Sequence, residues 1–174
     1  MTFGESPTNE SYQKGFDEGQ WAVTRVGVTV VLFNGKKILM GMRRSPGRSG
    51  DGQYQFPGGK VDWGETPEQA CIRETLEETG ADIYEPTLFA AISEVLDGEK
   101  RHFITLYYTA YYKGGLKLDE VTGLFLPPNE KERTKCDGWK WVEYDNLPQP
   151  MWTVAEHVKD YINLFGQLAV HLPR

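Results

Sequence analysis

The segment from Gln55 to Ala81 limits what this 174-residue chain can fold into more than any other part of it. Its sequence, QFPGGKVDWGETPEQACIRETLEETGA, leads from a Pro-Gly-Gly turn into a helix-forming stretch. Thr66 is suited to cap this helix, Pro67 fits its first position, and Gln69 completes a capping box. Gly80 supplies the left-handed residue that ends many helices. The residues expected to face a core are Ala70, Ile72, Leu76 and Thr79.

The last turns of the predicted helix carry three glutamates on one side. Residues three and four apart share a helix face, so Glu74, Glu77 and Glu78 present their carboxylates together. Such charges repel unless a hard cation compensates them, and Mg²⁺ is the usual one. A plainer alternative is a solvated face on which Arg73 pairs with Glu77. The acidic spacing alone favours that alternative, and the glycine-rich turn before the helix shifts the balance to a metal site.

From Gly59 onward the segment resembles the signature of the Nudix hydrolase family. The matching positions are Gly59, Glu65, Arg73, Glu74, Glu77, Glu78 and Gly80. Thr75 and Ala81 depart mildly, because the family usually has Leu at the first and Ile or Val at the second. Both are packing positions. A chance match of so many residues in register is very improbable.

Other segments resemble the MutT-like branch of this family, which hydrolyses nucleoside triphosphates. They are residues 55–60, 64–70, 101–106 and 135–141, the last followed by Asn146-Leu147-Pro148. The resemblance runs from about Val23 to about Phe165. It implies an α/β/α sandwich around a mixed sheet, which is sharper than the α+β class that the order of predicted elements gives.

The resemblance also implies roles for individual residues. The implied metal ligands, for Mg²⁺ with Mn²⁺ as a substitute, are the Gly58 carbonyl and the carboxylates of Glu74, Glu77 and Glu78. Arg73 and Glu65 would hold these carboxylates at coordinating distance. They complete the predicted catalytic set, although Glu65 is alternatively an ordinary loop acid.

A further acid is expected from the loop before the last strand, where relatives carry acids at the positions of Thr134 and Glu132. Since one of these is a threonine here, Glu132 or Glu130 is expected to substitute. Alternatively, one of the three helix glutamates is the general base.

The residues predicted to contact substrate are Arg44, Arg43, Lys60, Gly59, Trp139 and Trp152. Among the basic residues, Arg44 matches the MutT position best, and the plain alternative is solvated loop charge. The tryptophans would stack on the base, and their plain alternative is core packing. Trp139 and Trp141 lie two apart in a predicted strand, so both should point to the same face.

Length and composition predict a single domain at 21–174 behind a flexible arm at 1–20. Strands are expected at about 23–33, 37–42, 88–96, 101–112 and 139–144, the first two joined by an Asn-Gly turn. Loops are expected at 43–53 and 113–135, with an amphipathic helix at 152–165.

The net charge is −6, so no basic patch indicates nucleic acid or an anionic membrane. The polar N-terminus and the absence of a long apolar run predict a protein without signal peptide or membrane span. Cys71 and Cys136 have no zinc spacing, and a reducing cytoplasm is expected. The expected partner is a small nucleotide, with a homodimer as a further expectation.

The leading hypothesis is Mg²⁺-dependent hydrolysis of a nucleoside triphosphate, normal or oxidised and preferably a deoxynucleotide, to monophosphate and pyrophosphate. One rival is hydrolysis of another linked diphosphate: a nucleotide sugar, nucleoside diphosphate, dinucleoside polyphosphate or prenyl diphosphate. A second rival is a non-catalytic nucleotide-sensing module, which the retained carboxylates disfavour. Removal of an RNA cap fits poorly with the acidic charge and the short chain.

Overall fold

The computed structural model describes residues 24–96 and 101–162. The elements are β1 Thr24–Asn34, β2 Lys37–Arg43, β3 Tyr54–Gln55, β4 Gly58–Lys60, α1 Pro67–Thr79, β5 Asp82–Leu96, β6 Arg101–Gly114, α2 Glu130–Arg133, β7 Cys136–Glu143 and α3 Thr153–Glu156. The predicted arm at 1–20 lies outside the described residues, so its flexibility stays a prediction.

The strands form one mixed sheet with β1 at its centre. β1 runs parallel to β6 and antiparallel to both β2 and β4. β2 also pairs with β3 and β7, and β5 pairs with the far side of β6. β4 lies beside the first half of β1, where Thr29 opposes Gly58 and Gly27 opposes Lys60. This pairing places the Pro-Gly-Gly turn near the middle of the sheet.

β1 is buried without interruption from 27 to 33, as expected for a strand covered on both faces. Its side chains alternate between two cores. Val28 and Val30 pack with α1, whereas Val31 and Phe33 pack with α3 and the turn after it. The sheet therefore lies between helices on both faces, which confirms the predicted sandwich.

Helix α1 begins and ends as predicted, with a complete capping box at Thr66 and a left-handed Gly80. Its buried residues are Ala70, Cys71, Thr75 and Thr79. The expectation that Ile72 and Leu76 face the core is wrong, since they are 44% and 46% exposed. The inward face instead runs through Cys71 and Thr75 and continues into Glu74 and Glu78, so the helix turns these two glutamates toward the sheet.

Several element limits differ from the prediction because long-range pairing extends strands beyond their local signal. β5 begins at Asp82, β6 continues to Gly114 and β7 begins at Cys136. The predicted loop at 113–135 contains α2. The predicted helix at 152–165 is broken, with α3, a turn at 157–158 and a helical stretch at 159–162. In the part of the chain that the structure describes, no helix is long and apolar enough to cross a membrane.

Candidate active site

The glycine turn lies directly against the glutamate face of α1. The Gly58 N–H donates to Glu78 Oε2 at 3.1 Å. A Cβ atom at Gly59 would overlap the Glu74 carboxylate, and one at Gly58 would overlap the Val28 carbonyl oxygen. Glycine at these two positions therefore lets β4 lie close to the β1 backbone and to the Glu74 carboxylate.

Arg73 connects the loop acids to the helix acids. Its Nε and Nη2 donate to the two oxygens of Glu65 at 3.0 and 2.6 Å, which is the bidentate arrangement that carboxylates favour. Nη1 donates to Glu74 Oε1 at 2.9 Å and lies 3.5 Å from Glu77 Oε2, while Nη2 also donates to the Lys60 carbonyl. The hydrogen bonds from Arg73 lower the pKa of Glu65. The same hydrogen bonds, donated to Glu65, raise the pKa of the arginine.

Glu78 and Glu74 turn inward without a matching number of positive charges. Burial of the carboxyl group raises the pKa of Glu78 to about 8, and the negative charge of Glu74 adds to this effect. Burial also raises the pKa of Glu74, although Arg73 opposes the shift. An enclosed carboxylate that is costly to ionise is the kind of group that a divalent cation stabilises.

The donor set is made of oxygen atoms alone, which fits Mg²⁺ or Mn²⁺. As they stand, however, no three acidic, histidine or cysteine side chains within 24–96 and 101–162 lie close enough together to enclose an ion. Two of the carboxylates have other partners: Arg73 donates to Glu74, and the Gly58 N–H donates to Glu78. A metal ion ligated by Glu74 and Glu78 would replace these hydrogen bonds.

Of the two additional acids predicted from the loop, one lies near the site. The Glu132 side chain is 7% exposed, and Lys135 Nζ donates to both of its oxygens at 2.8 and 2.9 Å. The charge of Glu132 raises the pKa of Glu78 and that of Lys135 lowers it. Glu130 is 88% exposed and pairs with Arg133.

A cleft of about 230 Å³ lies on the other face of the sheet, and β4 forms part of its wall. Its lining includes four of the predicted substrate contacts: Arg43, Gly59, Lys60 and Trp152. The remaining lining combines apolar groups such as Phe56 and Phe103 with Glu94 and Thr105. Because Gly58 and Gly59 also contact the helix glutamates, the cleft and the acidic cluster share the same short strand.

Arg43 and Trp152 form one unit at the cleft wall. The Arg43 guanidinium lies 4.4 Å from the centroid of the Trp152 ring, and its Nη1 donates to Gln55 at 3.1 Å. The Trp152 Nε1 donates to Ser49 Oγ at 3.1 Å. Arg44, the better match by sequence, is not among the cleft-lining residues in the described part of the chain, and it pairs with Asp137 at 3.2 Å.

The prediction that Trp139 contacts a base is wrong. Its side chain is 0% exposed and packs in the core beside α1, where Nε1 donates to the Glu78 carbonyl at 3.0 Å. Trp141 packs against the same core, which confirms that the two rings share a face. That face is opposite the cleft. Trp139 supports the end of α1 instead.

Sequence reasoning missed Glu94, an acid in the strand segment Ile92-Ser93-Glu94-Val95-Leu96. Glu94 is 8% exposed and lines the cleft. Thr105 Oγ1 donates to its Oε2, and the Tyr107 hydroxyl lies 3.0 Å from its Oε1. The neighbouring residues Ser93 and Val95 are exposed, so an acid at this position has the local pattern of an ordinary surface residue, and no sequence signal marks it as buried.

Comparison with known proteins places this geometry in a family. A NUDIX domain model matches residues 23–162. The RNA pyrophosphohydrolases of Bartonella quintana (strain Toulouse) and Gluconacetobacter diazotrophicus are each 29% identical to this chain, over 147 and 144 residues. These alignments cover 75% and 72% of this chain and 83% and 80% of the relatives.

Solved structures agree with the sequence relatives. A MutT NUDIX hydrolase from Burkholderia pseudomallei superposes with a TM-score of 0.66 at 25% identity, covering 79% of this chain and 97% of that one. A UDP-X diphosphatase has the same fold, with a TM-score of 0.59 at 17% identity, and the match covers 94% of this chain and 71% of that one. This chain is therefore a member of the NUDIX family of hydrolases that act on diphosphate bonds.

Proposed function

We propose that the protein hydrolyses a nucleoside triphosphate to the monophosphate and pyrophosphate with the help of Mg²⁺. The observation that carries the proposal is the position of β4, whose glycines touch the Glu74 and Glu78 side chains and also line the cleft. A nucleotide whose base occupies the cleft would have its phosphates beside the carboxylates.

Bound Mg²⁺ would neutralise the phosphate oxygens and lower the pKa of an attacking water. The proposed ligands are the Gly58 carbonyl and the carboxylates of Glu74, Glu77 and Glu78. Arg73 holds Glu74 and Glu65 in fixed positions, so its role is to orient the ligands. Lys60 and Arg43 add positive charge at the cleft wall, where a polyanion would pass.

Glu132 is the proposed additional acid, because it lies near enough to Glu78 to affect its pKa. Lys135 donates to both oxygens of Glu132 and so orients its carboxylate, as a residue that accepts a proton from water requires. Trp152 is the proposed stacking surface for the base, since its ring is half-buried and lines the cleft.

A second candidate substrate is RNA with a 5′-triphosphate, which carries the same triphosphate group on a nucleotide. The names of the two bacterial relatives support it. The net charge of −6 opposes it, because RNA binding usually depends on a positive surface. A free nucleotide therefore stays the first choice, with a cytoplasmic location and a homodimer as further predictions from the sequence.

The test is a substrate panel with Mg²⁺, scored by chromatography of the products. The panel contains normal and oxidised nucleoside triphosphates, nucleotide sugars, dinucleoside polyphosphates, prenyl diphosphates and a 5′-triphosphorylated oligoribonucleotide. We expect a nucleoside monophosphate and pyrophosphate from a triphosphate, and no product with Glu78→Gln. Orthophosphate as the first product would contradict the proposal, and nucleotide binding without turnover would favour the sensing module.

A further inference from the structure

The loop between β2 and β3 contacts both members of the Arg43–Trp152 unit at the cleft wall. The Ser49 carbonyl accepts from Arg43 Nε at 3.3 Å, and the Ser49 hydroxyl accepts from Trp152 Nε1 at 3.1 Å. The loop is also bound back to β2, because the Arg43 N–H donates to the Gln53 carbonyl and the Gly52 N–H donates to the Arg43 carbonyl, each at 3.0 Å. The unit is therefore held by a loop that is itself fixed to the sheet.

Gly50 packs directly against the same two side chains. It is buried, and a Cβ atom at this position would lie 2.8 Å from Trp152 Cδ1 and 2.9 Å from Arg43 Cδ. Carbon atoms in contact are normally about 3.5–4.0 Å apart, so a side chain here would have to displace both. The indole is a rigid ring, and it could yield only by moving as a whole. Gly50 thus lets the ring lie against the loop.

The support of this loop leaves the Trp152 ring one face for a ligand. The Arg43 guanidinium lies over the other face, 4.4 Å from the ring centroid. Nη1 of Arg43 donates to Gln55 and its Nε to Ser49, so the guanidinium is held in that place. A base that stacks on Trp152 has to use the face that Arg43 does not cover, and the position of the ring decides how well that face meets it.

We propose that Gly50 and Ser49 are positioning residues for substrate binding, because they fix the Trp152 ring against which the base stacks. Trp152 is the N-cap of α3, a helix of only four residues, which is too short to hold the ring by its own stability. A gap of about 0.5–1 Å between two surfaces already forfeits about a quarter or more of their contact energy. The inference rests on the proposed function, because it assumes that the cleft holds a base.

The first test is Gly50→Ala, with Gly47→Ala as its matched control. Both glycines lie in the same loop at positive φ, +83° and +74°, so alanine is strained at either position. A Cβ atom at Gly47, however, meets no atom of the described residues within 4 Å. We expect Gly50→Ala to raise KM about fivefold or more for every nucleoside triphosphate that is hydrolysed, with kcat changed at most about twofold. Gly47→Ala should change neither constant by more than about twofold.

Two outcomes of this comparison would overturn the inference. An equal rise in KM for both variants would mean that strain in the loop, and not contact with the ring, is the cause. A fall in kcat at unchanged KM would mean that Gly50 does not act through substrate binding. Thermal unfolding shows whether both variants fold, and should Gly50→Ala not fold, the second test decides alone.

The second test is Ser49→Ala, made in the unaltered protein and in Trp152→Phe. Phenylalanine keeps an aromatic ring but lacks the N–H that donates to Ser49, so the two changes remove the same hydrogen bond. We expect Ser49→Ala to weaken binding of the nucleoside monophosphate about threefold or more by calorimetry, and at most about 1.5-fold further in Trp152→Phe. An unchanged affinity in the unaltered protein, or an equal loss in both backgrounds, would mean that Ser49 does not act through the ring, and the inference would fail.

The two proposals fail in distinguishable ways. If no nucleoside triphosphate is hydrolysed but Ser49→Ala weakens monophosphate binding only where Trp152 is present, the proposed function is wrong and the positioning role stands. If triphosphates are hydrolysed and neither Gly50→Ala nor Ser49→Ala alters KM, the proposed function stands and the positioning role is wrong.

Discussion

Glu132 and Glu130 lie two residues apart in the sequence but differ strongly in burial and in their partners. Glu132 is enclosed, bound by Lys135 and close enough to raise the pKa of Glu78, whereas Glu130 is 88% exposed. We expect Glu132→Gln to lower kcat by about a hundredfold or more, as loss of a group that handles a proton commonly does. Glu130→Gln serves as its matched control and should keep the normal rate. Steady-state kinetics at saturating Mg²⁺ measures both, and equal rates for the two variants would remove Glu132 from the mechanism.

The raised pKa of Glu78 predicts how stability changes with pH in metal-free protein. A carboxyl group whose pKa rises from 4.5 to about 8 binds its proton more tightly in the folded state. The stabilisation that this tighter proton binding gives the folded state is therefore fully present below pH 4.5 and is lost as the pH rises through about 8. Glu78→Gln cannot ionise, so its free energy of unfolding should fall less between pH 5 and pH 8.5 than that of the unaltered protein. Urea unfolding in chelator at both pH values measures this, and parallel curves would contradict the assignment.

Helix α1 buries a hydroxyl group at a position where an apolar side chain would leave no hydrogen bond unsatisfied. The Thr75 hydroxyl is buried and has no hydrogen-bond partner among the described residues. Thr79, one turn later, donates to the Thr75 carbonyl and accepts from the Ala81 N–H. Thr75→Val should therefore stabilise the protein by about 1 kcal/mol, and Thr79→Val should destabilise it by about 1–3 kcal/mol. Thermal and urea unfolding of the pair would show whether the two changes have opposite signs.

Strand β7 and the segment at α3 each carry a tryptophan that the sequence could not assign. Trp139→Ala should lower the free energy of unfolding by about 3–5 kcal/mol, since the ring is fully buried. The preference of the Trp139→Ala variant among nucleotides, measured as the ratio of their kcat/KM values, should not change. Trp152→Ala should raise KM about tenfold, because a stacked aromatic side chain contributes about 1–3 kcal/mol to a base. The prediction is wrong if Trp139→Ala alters nucleotide preference and Trp152→Ala does not.

The same elements show which features are predictable from sequence. The limits of α1 follow from local chemistry at Thr66 and Gly80, and so they were predicted correctly. The alternation of a strand gives the shared face of Trp139 and Trp141, but it does not say whether that face meets a helix or the cleft. The outward position of Ile72 was not predictable from periodicity, because the site residues occupy the inward face of the helix.

Across the whole molecule, the unpredicted features are those that distant parts of the chain create together. The cleft needs β1 paired with β6, β4 inserted beside β1, and Trp152 returned to the loop at Ser49. Each contact joins residues far apart in sequence, so no local pattern encodes it. Glu94 was missed for this reason, since its strand shows no local sign of a neighbouring cleft. The acidic cluster was found because one helix and the turn before it contain nearly all of it.

Metal binding should stabilise the whole protein, because an ion that binds only the folded state adds its binding free energy to stability. At a Mg²⁺ concentration about a hundred times its Kd the gain is about 2.7 kcal/mol. Protons compete with the metal for Glu78, so the gain should be larger at pH 8 than at pH 5. Thermal unfolding with MgCl₂, compared with NaCl of equal ionic strength, separates binding from charge screening.

Glu78→Gln should show a smaller gain in stability from Mg²⁺, and excess chelator should abolish turnover. An equal gain from NaCl, or full turnover in chelator, would place the metal elsewhere or remove it from the mechanism.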